Sequence, residues 1–89
     1  MRKLILAALL AVGLMAECVE VYMDGLKEVI IANEYIKEKR YFKGCEHMRR
    51  AVIYIKLSAI ECDGVLKEQA EKALADGVKA VEYCDKLGF

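Results

Sequence analysis

Apolar residues recur at steps of three and four in three separate stretches of this 89-residue chain. Cys18, Tyr22, Gly25, Val29, Ala32 and Ile36 form the first line. Cys45, Met48, Val52, Ile55, Ala59 and Cys62 form the second, and Leu66, Ala70, Ala73, Gly77, Val81 and Cys84 the third. Such spacing places each set on one stripe of an α-helix, the stripe that a helix buries against its neighbours. The pattern breaks at Lys39-Arg40-Tyr41 and at Asp63-Gly64, where a glycine can take positive φ and reverse the chain. Proline and threonine are absent, no stretch alternates as a strand would, and Ala, Leu, Glu and Lys, all strong helix formers, dominate. The expected fold is all-α: an up-down-up three-helix bundle with helices near residues 17–38, 42–62 and 65–87.

Residues 1–16 follow a different pattern. Arg2 and Lys3 precede an apolar run from Leu4 to Met15, and Ala16 is a small residue suited to a cleavage position. The run is shorter than the roughly 20 residues that cross a bilayer. It therefore reads as a signal peptide, leaving residues 17–89 as one small domain. A lipid anchor on Cys18 is disfavoured, because Glu17 is too large for the residue before a lipidated cysteine and lipidation would leave three cysteines. The expected location is bacterial periplasm or extracellular, with no stable membrane insertion after cleavage.

A domain this short has a marginal core, and four cysteines in an exported chain are most simply two disulfides. The cysteines act as rulers. Residues level across an antiparallel hairpin are equidistant from its turn. The midpoint of Cys18 and Cys62 is Arg40, in the first break; that of Cys45 and Cys84 lies between Gly64 and Val65, at the second. Cys45 and Cys62 share one helix, about 25 Å apart at its usual rise. The remaining pairings join opposite ends of the bundle, whereas a disulfide needs Cα atoms within about 7 Å. Only Cys18–Cys62 with Cys45–Cys84 survives. Each bond closes a loop of about 40 residues, worth up to roughly 4 kcal/mol in the chain-entropy description.

Charge sets limits on partners. Losing Arg2 and Lys3 tips the balance of 14 basic and 14 acidic residues slightly to the acidic side. That is too even for general binding to nucleic acid. The distribution is uneven, though. Glu17, Glu20, Asp24, Glu61, Asp63, Glu68 and Glu71 gather at one end of the expected bundle and Lys37, Lys39, Arg40, Lys43, Arg49 and Arg50 at the other. Lys43, Arg49 and Arg50 begin a helix, where the helix dipole disfavours cations. Lys39, Arg40, Tyr41, Phe42, Lys43, Arg49 and Arg50 are accordingly the candidate partner-binding surface.

Chemistry is sparse. After Ala16 there is one serine (Ser58), one histidine (His47), one asparagine (Asn33) and one glutamine (Gln69). No nucleophile stands beside His47 in a recognisable arrangement, and it reads as a solvated group beside Glu46. No close cysteine pair suggests redox work, and no ligand set suggests a metal or another cofactor. Ile53, Leu57 and Ile60, with Ile30 and Ile31, lie off the main stripes. They are expected to widen the core, the alternative being a patch for self-association or a partner.

Ala32, Tyr35, Tyr41, Gly44, Met48 and Ala51 fall where a tetratricopeptide hairpin places small, aromatic, aromatic, small, large and small residues. Residues 25–58 thus resemble one such repeat, with Glu28 and Lys56 in place of its tryptophan and proline. The resemblance implies a protein- or peptide-binding surface, although one repeat cannot build a binding superhelix. The same small residues suit any tight antiparallel helix pair. The expected function is a non-enzymatic exported interaction module or accessory or inhibitory subunit that binds another protein, with homo-oligomers possible. The alternative is a small carrier of a ligand or metal, its site between the helices.

Overall fold

The computed structural model describes the backbone of residues 2–89 and the side chains of residues 17–89. It consists of three helices: α1 (Arg2–Lys37), α2 (Tyr41–Glu61) and α3 (Gly64–Lys86). The expected all-α bundle is the fold found, with both turns where the pattern breaks. The signal-peptide reading of residues 1–16 falls outside the described side chains.

Both disulfides join the expected partners, with Cα atoms 5.4 Å apart in Cys18–Cys62 and 6.0 Å apart in Cys45–Cys84. Each end of α2 is thereby tied to one neighbour by a turn and to the other by sulfur. A buried cluster of Ala32, Met48, Ala51 and Ile55 forms the core, with Val29, Ala73, Leu74, Ala80 and Val81 packed against it. Glycines let the helices approach closely. A Cβ on Gly25 would stand 2.8 Å from Ile55 Cγ1, one on Gly44 3.1 Å from the Ala32 carbonyl oxygen, and one on Gly77 2.9 Å from Val52 Cγ2.

α2 is the middle helix. It packs along both neighbours, while α1 and α3 scarcely approach each other. It therefore buries two faces. The stripe through Cys45, Met48, Ile55 and Ala59 is one, and Gly44, Ala51 and Ser58 make a second toward α1. Ser58 is fully buried, and its hydroxyl donates to the Tyr54 carbonyl one turn back, which satisfies it without a partner helix.

Two expectations fail. Ile36 belongs to the first stripe yet is exposed, because α3 does not close over it. Ile53, Leu57 and Ile60 do not widen the core: they remain 60%, 42% and 67% exposed, and Ile30 and Ile31 are exposed too. With α1 and α3 both on the far side of α2, nothing in the fold covers its outer face.

α1 and α3 stop in the same way. At the end of α1, the Arg40 N–H donates to the Tyr35 carbonyl and the Lys39 N–H to that of Ile36, with Lys39 at φ 64°. At the end of α3, the Phe89 N–H donates to Cys84 and the Gly88 N–H to Asp85, with Gly88 at φ 82°. Both are Schellman terminations, each turning its next side chain back onto the helix.

Candidate functional site

The separation of α1 from α3 leaves an apolar groove floored by α2. Its wider part is a cavity of about 350 Å³ at the Cys45–Cys84 end, lined by Ile36, Tyr41, Met48, Ala80, Tyr83, Leu87, Phe89 and the disulfide. A second hollow of about 230 Å³, lined by Leu26, Val29, Ile55, Ala73, Asp76 and Gly77, shares Met48 and Ala80 with the first. The cause is local: α3 presents Ala73, Gly77 and Ala80 to the groove, residues too small to fill the space facing Leu26 and Val29. Tyr83 and Leu87 are exposed at its rim.

The last residues of the chain shape the cavity. The Schellman turn at Gly88 brings the Phe89 ring to within 5.7 Å of the Tyr41 ring, centroid to centroid. Arg49 fixes it there, its Nη1 donating to the Phe89 carbonyl oxygen at 2.9 Å and its Nη2 to Asp85 at 2.8 Å.

The candidate partner-binding residues divide into three groups. Arg49 is engaged with Asp85 and Phe89, and Arg50 pairs with Glu46 one turn back at 3.1 Å. Tyr41 lines the cavity. Lys39, Arg40, Phe42 and Lys43 are exposed at the same end, Phe42 at 68%. Arg40 lies 5.0 Å from the centroid of Tyr35 and Lys43 5.8 Å, so both cations sit over one ring. Neither has a carboxylate partner among the described residues.

His47 is not a solvated group beside Glu46. Its ring is largely buried, stacks on Tyr35 at 5.3 Å and bonds through Nδ1 to Glu28 of α1. Glu28, Tyr35 and His47 thus make a polar seam on the side of the α1–α2 pair away from α3. Tyr83, Leu87 and Phe89 are cavity residues that the sequence reading did not single out. Tyr83 lies off the α3 stripe, and Phe89 reaches the cavity only through the turn at Gly88, so neither carried a periodic signal.

Among the described residues no cluster of side chains is arranged to hold a metal ion, and no helix is long and apolar enough to cross a membrane. No family model, curated protein or solved structure matches the chain. In the hairpin of residues 25–58 Gly44 packs closely on Ala32, as the small residues of any tight antiparallel helix pair do.

Proposed function

We propose that this protein is an exported, non-enzymatic helical module of the periplasm or extracellular space that binds another protein through the groove between α1 and α3. Two disulfides suit an oxidising compartment. The observation that carries the reading is the open apolar cavity, with Met48 at its floor and exposed Tyr83 and Leu87 at its mouth. An amphipathic helix laid into such a groove would bury the surface that α1 and α3 leave uncovered, completing a four-helix layer. Arg40 and Lys43 lie over Tyr35, off the groove but at the same end of the molecule, and with Lys39 their field favours the approach of an acidic partner.

The test is a photo-crosslinking side chain placed at Leu87 or, as control, at Val65 at the opposite end of α3. Leu87 is expected to trap one partner protein in the native envelope, less so at high salt, and Val65 none. Equal labelling from both sites, or none from Leu87, overturns the reading. The cavity volume also lies within the range of small-molecule sites, which favours a carrier of an apolar ligand as the second reading. Solvent extraction and mass spectrometry of protein purified from its native source decide for that reading by finding a stoichiometric apolar compound.

A further inference from the structure

The outer face of α2 lies opposite the groove and takes no part in the reading above. At 3.6 residues per turn, Arg50, Ile53, Leu57, Ile60 and Glu61 all fall within an arc of about 100°. The three apolar residues are exposed at 60%, 42% and 67%. Glu46 falls in the same arc one turn before Arg50 and pairs with it; from Arg50 onward the order is basic, apolar, apolar, apolar, acidic, and that segment is complementary to its own reverse.

We propose that two copies of this chain associate through this face, with their α2 helices antiparallel about a two-fold axis. The axis passes between Ile55 and Lys56. In that register Arg50 is level with Glu61 of the second copy, and Ile53 falls within one residue of level with Leu57 of the second copy. A two-fold axis normal to the plane of the two helices keeps Arg50 and Glu61 on the same side of the interface, so the ion pair forms twice. In the single chain Arg50 already pairs with Glu46, and the second copy's carboxylate extends that pair into a network across the interface. A parallel pairing sets Arg50 level with Arg50 and Glu61 with Glu61, which repel; charge therefore selects the antiparallel arrangement. Lys56 meets its own copy at the opposite edge, where its long stem lets the ammonium turn to water.

One helix face is small beside the roughly 800 Å² per partner of a standard stable interface, so the dimer is weak and forms at high concentration. Both grooves stay open in it, because Met48 and Ile55 point to the other side of α2.

Sedimentation equilibrium of the oxidised protein across a wide concentration range is the test. The native chain is expected to show a reversible monomer–dimer equilibrium. Arg50→Glu and Glu61→Arg each weaken it by about tenfold, and the double exchange restores it, as one charge-assisted pair made twice requires. Leu57→Glu is expected to abolish it while the helical circular dichroism is unchanged. A native chain that stays monomeric throughout, or a dimer that both single exchanges leave intact, overturns the proposal. So does failure of the double exchange to restore association.

Discussion

His47 Nδ1 lies 2.5 Å from Glu28 Oε2, although 19 positions separate the two residues in the chain. The contact crosses the α1–α2 seam with both side chains about four-fifths buried. The imidazole is held from two directions, by the carboxylate at its edge and by the Tyr35 ring on its face. Such a group fixes the rotation and height of one helix against another, which apolar packing alone does less sharply.

Replacing His47 with alanine removes both contacts and leaves a largely buried Glu28 without that partner. The expected loss is about 1–3 kcal/mol, read from urea unfolding of the oxidised protein. A double-mutant cycle with Glu28→Gln should return a coupling of about 0.5–2 kcal/mol. Additive losses would mean that the two side chains do not interact.

Two of the close-packed glycines should respond differently to alanine. At Gly44 the new methyl meets the Ala32 backbone oxygen at 3.1 Å as well as Ile36, and backbone cannot yield without moving a helix. At Gly77 it meets only a Val52 methyl. Gly44→Ala is expected to destabilise by about 1–3 kcal/mol. For Gly77→Ala the clash is set against a helix-propensity gain of about 1 kcal/mol, and the net is close to zero. Thermal unfolding of the two variants side by side gives the ranking.

The matched terminations of α1 and α3 make a pair of opposite predictions. Lys39 holds a left-handed conformation that costs an L-residue about 1 kcal/mol, so Lys39→Gly should raise stability by up to that amount. Gly88→Ala should lose a similar amount and loosen Phe89 from Tyr41. Calorimetry measures the first. The second also shows as increased fluorescence quenching of Tyr41 by acrylamide in a variant whose other tyrosines are phenylalanine.

Most of the architecture was legible because it rests on periodicity and on cysteine positions, both local or countable properties. The stripe from Cys45 to Cys62 marked one face of α2. The second, at Gly44, Ala51 and Ser58, was harder to see because small residues carry weak hydropathy and the solvent-facing side of α2, with Ile53, Leu57 and Ile60 exposed, gives little polar contrast. Ile36 obeyed the period but not the burial, since periodicity says which way a residue points and not whether a neighbour is there. His47 was misread for a related reason: its nearest sequence neighbour, Glu46, was visible, whereas its real partner sits across the hairpin. The midpoint between Glu28 and His47 lies within one turn of the hairpin's centre at Arg40, so the cysteine ruler held that signal too.

Removing either disulfide as a Cys→Ser pair should lower stability by about 2–4 kcal/mol, the range for loops of this length. The structural effects should differ. Loss of Cys45–Cys84 frees the wall of the larger cavity and should speed amide exchange at the end of α3, while loss of Cys18–Cys62 should do so around Cys18. Hydrogen exchange resolved by peptide separates the two patterns.

The two sulfur links also overlap along the chain, one spanning 18–62 and the other 45–84. A single peptide-bond cleavage anywhere between Cys18 and Cys84 therefore cannot release a fragment, and one between Cys45 and Cys62 leaves the pieces joined twice. A protease that nicks the exposed Lys39-Arg40 turn would add the mass of one water and no more, until a reductant let the halves part. Wherever the protein meets a protease, the crossed links amount to a chain that survives its first cut.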